Sequence, residues 1–164
     1  MRLLAAVLLL LTVASTPARS QSEATAKSVR EQFADINRKI LAMAKDFPED
    51  RYDFKLKAEM RTFGALIVHI AGGNVYAAKA GKGEKANWDE IDPKDYKTKA
   101  QIVALMEKVV ADSEATLKSL PDASFAKTIE PWISVTEHSA EHYGLLVAYY
   151  RANGLVPPES RPKP

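Results

Sequence analysis

The chain has 164 residues, with 23 lysines and arginines against 21 aspartates and glutamates, and no cysteine. The lack of cysteine excludes a disulfide framework, a thiolate metal site and a cysteine nucleophile. The nearly balanced charge, without basic clusters, makes the chain a poor candidate for nucleic-acid binding.

The first twenty residues, MRLLAAVLLLLTVASTPARS, have the layout of a secretory signal peptide. A basic Arg2 precedes an apolar run over Leu3–Val13, and Ala18 and Ser20 occupy the −3 and −1 positions of a cleavage site. The apolar run is shorter than the roughly 20 residues that a membrane span needs. An uncleaved N-terminal anchor is the alternative. We therefore expect an exported protein, periplasmic or secreted, with no stable membrane insertion after signal removal.

Residues 21–164 are long enough for one domain with its own core. Removal of residues 1–20 would also remove Arg2 and Arg19, which leaves 21 basic against 21 acidic residues. No second segment is apolar enough to span a bilayer. We expect a single domain that is held by its core, with the help of a metal or a partner subunit.

Two amphipathic helices are predicted in the first half of the domain. The first has apolar residues in three- and four-residue steps and ends at Pro48. Its stripe consists of Val29, Phe33, Ile36, Ile40, Met43 and Phe47. The second runs from about Lys57 to Lys79, with Phe63, Leu66, Ile67, Ile70 and Ala77 on one side. The pair Gly72-Gly73 interrupts it, at a cost of about 1 kcal/mol per glycine, which indicates close packing or a nearby ligand.

Two more helices follow a polar connection over residues 81–97. Thr98 and Gln101 predict a capping box at the start of the third helix, and Pro121 closes it. Its stripe is Ile102, Leu105, Met106, Val109, Val110, Leu117 and Leu120. Residues 121–132 are predicted to be a loop or a short irregular crossing. No strand pattern of alternating residues appears.

The fourth helix has the clearest bounds. Ser134 and Glu137 predict a second capping box, Asn153-Gly154 a C-terminal stop, and Pro157-Pro158 prevent continuation. Four helices of this length, each with one apolar stripe, predict an all-α fold, an antiparallel four-helix bundle.

The chain has three histidines, and His138 and His142 both fall on the core stripe of the fourth helix. A four-residue step separates two side chains by about 40° around the axis and roughly 6 Å along it, so both imidazoles can reach one ion. His69 lies in the middle of the second helix, and its ring can join the pair if the second and fourth helices are neighbours. Three neutral imidazoles around one ion would leave open coordination positions, and imidazole ligands suit zinc, nickel, iron or copper. The alternative is that each histidine is an ordinary hydrogen-bonded core residue.

Several polar residues are weak candidates for catalysis. Glu137 could be a base, but the capping box explains it better. Glu141 could orient a ligand or lie on a solvated face. Asn74, Tyr76 and Arg61 lie one to two turns from His69 and could line the mouth of a site, or pack as ordinary structural residues.

Two segments, EMRTFGALIVHIAGGNVYAAKAG and EHSAEHYGLLVAYYRANGLVPP, resemble the DinB/YfiT-like family of metal-dependent enzymes, and FPEDRYDFK is similar to its first loop. The resemblance covers about residues 25 to 160. It implies a four-helix bundle, often dimeric, in which His69, His138 and His142 hold a divalent metal such as zinc or nickel. Relatives include thiol-dependent transferases and isomerases, but a cytoplasmic thiol would not be available to an exported chain.

These patterns support two functions of different classes. The first is a metal-dependent hydrolase or transferase acting on a small molecule. The second is a non-catalytic bundle that binds a metal or a small ligand. A purely structural bundle, with histidines in ordinary hydrogen bonds, is a third alternative. An open pocket beside the three nitrogens would favour the enzyme, and a closed site with a fourth protein ligand the binding protein.

Overall fold

The computed structural model describes residues 18–88, 91–122 and 125–162. Their regular structure is helical, and no strand occurs among them. Four long helices are α1 (Ala18–Asp46), α2 (Phe63–Gly81), α3 (Lys99–Ser119) and α5 (Glu130–Ala152), and α4 (Phe125–Thr128) is a single turn. Short 3-10 turns occupy Glu49–Arg51, Pro93–Asp95 and Pro158–Ser160. The predicted helical bundle is therefore confirmed.

The helix directions differ from the predicted antiparallel order. The start of α2 lies beside the start of α3, because a Cβ on Gly64 would be 2.9 Å from Cδ1 of Ile102. Further along both helices, Ser113 of α3 donates to Asn74 Oδ1 of α2 at 3.1 Å. At the end of α3, the carbonyls of Leu117 and Leu120 accept hydrogen bonds from Arg30 near the middle of α1. The helices α2 and α3 are thus parallel, and the connection between them returns along the bundle.

The start of α5 lies beside the end of α2, because a Cβ on Gly81 would be 2.6 Å from a ring atom of Trp132. Tyr149 near the end of α5 donates to the Arg61 carbonyl just before α2. Since α5 therefore runs antiparallel to α2, the topology is up-down-down-up.

The second helix begins later than predicted. It starts at Phe63, where the Oγ1 of the N-cap Thr62 accepts a hydrogen bond from the Ala65 amide at 3.1 Å. Residues 52–62 form turns instead, and the Phe63 and Gly64 amides donate to the carbonyls of Phe54 and Tyr52. These long-range bonds satisfy the backbone without a further helical turn.

The two predicted capping boxes have different outcomes. Thr98 and Gln101 form the expected reciprocal bonds at the start of α3. The box at Ser134 is wrong, because α5 already begins at Glu130 and Ser134 donates to the Glu130 carboxylate at 2.8 Å inside the helix. Pro131 in the first turn explains the earlier start, since proline is tolerated where its missing N–H has no helical partner.

The predicted stop of the last helix is confirmed in detail. Gly154 adopts a positive φ of 69°. The Leu155 amide donates to the Tyr150 carbonyl at 2.9 Å, and the Gly154 amide donates to the Arg151 carbonyl at 3.0 Å. This pair of bonds is a Schellman motif, which requires the left-handed conformation that glycine adopts without strain.

The core fills the bundle from end to end. The rings of Phe47 and Phe63 stack with centroids 3.8 Å apart at one end, and Phe33 meets Trp132 edge-on at 5.3 Å toward the other. Residues 1–17, most of the predicted signal peptide, lie outside the described part of the chain. None of the described helices is both long and apolar enough to cross a membrane.

Candidate metal centre

The three histidines converge through the same ring atom. Nε2 of His138 lies 2.9 Å from Nε2 of His69 and 3.0 Å from Nε2 of His142. All three potential ligand atoms lie within 4.8 Å of one another, and each residue is half-buried. The structure thus brings together every histidine that the sequence predicted as a ligand.

Close packing of α2 against α5 makes this convergence possible. Gly73 stands one turn after His69, and a Cβ there would lie 2.9 Å from Cγ2 of Val135 and 3.3 Å from Nδ1 of His138. Any larger residue would force the two helices or these side chains apart. The helix continues through Gly72-Gly73 without interruption. Of the two explanations for the glycine pair, close packing is therefore the one that the structure supports directly.

The donor set fits a divalent ion better than it fits hydrogen bonds alone. An imidazole Nε2 carries either one proton or one lone pair. Nε2 of His138 therefore cannot make two good hydrogen bonds, to His69 and to His142, at once. A metal ion accepts a lone pair from each ring. For metal–nitrogen bonds of about 2.0–2.1 Å, adjacent ligand nitrogens lie about 2.8–3.4 Å apart, which includes both observed distances.

The electrostatic surroundings favour a neutral ring at His142. Burial lowers the pKa of this imidazole, and the positive charge of Arg61 lowers it further, while the carboxylate of Glu141 acts in the opposite direction. Neutral imidazole is the form that ligates metals. The His142 ring is therefore available as a ligand near neutral pH.

The centre opens into two cavities. The larger one, of about 570 Å³, is lined by the three histidines together with Trp88, Ser134, Glu137 and Glu141. A smaller one, of about 330 Å³, includes His69, Trp88, Arg61 and Asp92. In the described part of the chain, the group close enough to share an ion consists of the three histidines alone. Among the described residues the site is thus an open one, which leaves room for a further ligand.

The weak catalytic candidates divide into two groups. Glu137 and Glu141 are exposed and line the larger cavity, and Arg61 lines the smaller one. The capping explanation for Glu137 no longer applies, because α5 begins two turns before it. Asn74 is fully buried and cannot contact a substrate in either cavity. Its side-chain amide donates to Asn37 Oδ1 at 3.1 Å, and Ser113 donates to its carbonyl oxygen at 3.1 Å.

Trp88 is a residue of the site that the sequence patterns did not indicate. The residue lies in the polar connection between α2 and α3, yet its ring packs against His138 with centroids 5.0 Å apart. Tyr76, predicted only as a possible mouth residue, stacks on this indole at 4.3 Å and an interplanar angle of 19°. A tryptophan within an otherwise polar stretch was the signal available in the sequence.

The fold and the site together define a class of protein. Its members are helical bundles in which three histidines from two neighbouring helices form a centre that could hold a metal ion. A family model described as the DinB superfamily matches residues 32–151, a range that includes all three histidines. The chain belongs to the DinB superfamily, as the sequence resemblance predicted. A comparison with curated proteins found no match.

Proposed function

We propose that the protein is an exported enzyme that depends on a divalent metal and acts as a hydrolase or transferase on a small molecule. One observation carries the proposal: Nε2 of His138 lies 2.9 and 3.0 Å from the two other histidine nitrogens, at the wall of a cavity of about 570 Å³. Zinc and nickel are the expected ions, because both bind neutral imidazole.

Each group at the cavity has a chemical task in this proposal. His69, His138 and His142 hold the ion, which when bound supplies Lewis-acid polarisation of a substrate oxygen. Glu141 and Glu137 line the same cavity, where either carboxylate can exchange a proton with a substrate. Arg61 lines the neighbouring cavity, where its cation can pair with an anionic substrate group.

A second function, a non-catalytic bundle that binds a metal or a small ligand, has one observation in its favour. Both carboxylates at the cavity are exposed, whereas enzymes usually tune a general base by burial. In this alternative the open face of the centre takes up and releases a ligand without chemical change.

Export and assembly are separate parts of the proposal. Residues 1–20 support export, and an exported enzyme would need a substrate that does not rely on cytoplasmic thiols. N-terminal sequencing after cell fractionation tests this, and an intact Met1 on cytoplasmic protein would contradict it. The family resemblance and the 49% exposure of Ile133 on α5 support a homodimer, which sedimentation analysis would detect.

Metal analysis and a substrate panel together test the function. The protein is purified without a histidine tag, stripped with a chelator, reloaded with zinc or nickel, and assayed on chromogenic esters, phosphoesters and amides. We expect about one ion per chain and turnover that the chelator abolishes. Bound metal without turnover on this panel would favour the binding bundle. Failure to bind either ion would contradict the metal-dependent enzyme and the metal-binding form of the second function.

A further inference from the structure

Trp88 packs on the histidine that takes part in both short contacts. Its ring centroid lies 5.0 Å from that of His138, with the two planes at 55°. Trp88 is half-buried and lines both cavities of the site. The indole therefore borders both cavities, and it restricts the space in which the His138 ring can rotate.

The indole itself is held from α2. Tyr76 stacks on it at 4.3 Å and nearly parallel. A Cβ on Gly72 would lie 2.9 Å from the carbonyl oxygen of Trp88, and a Cβ on Gly73 would lie 3.3 Å from its Cζ3. The two adjacent glycines thus provide a surface without side chains on which the returning connection lies.

The glycine surface of α2 also contacts His138, one of the three candidate metal ligands. The Cβ position of Gly73 is 3.3 Å from Nδ1 of His138 as well as 3.3 Å from the indole. His138 is consequently enclosed between the bare backbone of α2 and the tryptophan ring. Such enclosure orients an imidazole by packing, in the way that hydrogen bonds to the second ring nitrogen orient ligands in many metal sites.

We propose that Trp88, seated on Gly72-Gly73 and Tyr76, is a positioning residue of the three-histidine centre. Its function is to hold the His138 ring so that Nε2 points to the place where the lone pairs of His69 and His142 meet. The inference rests on the proposed function to the extent that these histidines hold a divalent ion. The proposal gives Trp88, in the predicted polar connection, a role at the metal centre. It also explains why residues 72 and 73 of α2 are both glycines, because a larger residue at either position would displace Trp88.

Cobalt binding tests the proposal. Co²⁺ is titrated into the untagged full chain against a competing chelator, and the visible absorption of the bound ion reports its coordination geometry. Trp88→Leu removes the planar ring that packs against His138. We expect the affinity of this variant for Co²⁺ to fall about 10- to 100-fold and its absorption spectrum to change, as is typical when contacts that support a metal ligand are lost. Trp88→Phe keeps an aromatic ring beside His138, so its Co²⁺ affinity and its spectrum should lie closer to those of the wild type. Equal affinity and an equal spectrum in Trp88→Leu would overturn the proposal.

Gly72→Ala separates positioning from stability. The new Cβ would lie 2.9 Å from the Trp88 carbonyl oxygen, so the melting temperature should fall whatever the role of the Trp88 ring. A merely structural role predicts unchanged Co²⁺ affinity in the folded variant. The positioning role predicts weaker Co²⁺ binding, because the new Cβ displaces the Trp88 backbone. This variant decides the question if Trp88→Leu fails to fold, as melting of the metal-free protein would show. Wild-type protein that binds no Co²⁺ would refute the metal centre itself, whereas binding that neither variant changes would refute only the role of Trp88.

Discussion

Nε2 of His69 and Nε2 of His138 lie 2.9 Å apart across the contact between α2 and α5. Their side chains come from helices that run in opposite directions, and the bare backbone of Gly73 one turn further along α2 allows the approach. The centre therefore exists only in the folded bundle. A ligand that bridges the two helices will bind the native state alone, which links metal binding to stability.

We expect zinc to stabilise the native protein. A ligand that binds only the folded state, at 100 times its dissociation constant, adds about 2.7 kcal/mol to the free energy of unfolding. Thermal unfolding with and without zinc measures the effect. His138→Ala should abolish the zinc-dependent shift and the bound metal, because His138 makes both short contacts. The same shift in this variant, or full metal content, would contradict the ligand assignment.

Gly81→Ala should destabilise the bundle. A Cβ there would lie 2.6 to 2.8 Å from three ring atoms of the fully buried Trp132, and overpacking of this kind costs about 1–3 kcal/mol. Urea denaturation measures the change. Gly144→Ala in α5 is the matched control, since a Cβ there meets nothing within 4 Å. It should stabilise by up to about 1 kcal/mol through helix propensity, and a similar loss in both variants would disprove the packing explanation.

Asn74→Ala should destabilise the fold without weakening metal binding. Asn74 is buried, accepts a hydrogen bond from Ser113 and donates to Asn37. Loss of its amide leaves the buried Oδ1 of Asn37 without its donor, at roughly 1–3 kcal/mol, whereas Ser113 still donates to the Val110 carbonyl. Calorimetry measures stability, and metal analysis of the folded variant measures binding. Unchanged stability combined with lost metal would instead give Asn74 the site role that the sequence suggested.

The C-terminal tail should bind α1 in a pH-dependent way. Arg161 donates to both carboxylate oxygens of Asp46, and this hydrogen bonding lowers the pKa of Asp46 despite partial burial. A carboxyl whose folded pKa is depressed contributes stability above its unfolded pKa of about 3.9, and the contribution is lost as pH falls through the lower folded value. Wild type should therefore exceed Arg161→Ala slightly in stability at pH 7. Denaturation curves that differ equally at pH 7 and pH 2 would contradict this.

Local sequence patterns correctly predicted much of this protein. The apolar stripe of α1, the capping box at Thr98 and the stop at Gly154 all depend on residues within a few positions of one another. His138 and His142 share a helix face for the same reason, since the α-helical repeat fixes which residues point together. The four apolar stripes also predicted the bundle, and the family resemblance added His69 as a predicted ligand.

Tertiary structure decided the rest. Pattern and periodicity could not show that α2 and α3 run parallel, because the path of the connection between them depends on packing against residues far away in the sequence. That path places Trp88 on Gly72-Gly73 and His138, and bonds from distant residues place Asn74 in the core. Helix faces follow from the periodicity of the chain itself, whereas the partner of each face follows from the packing of the whole bundle.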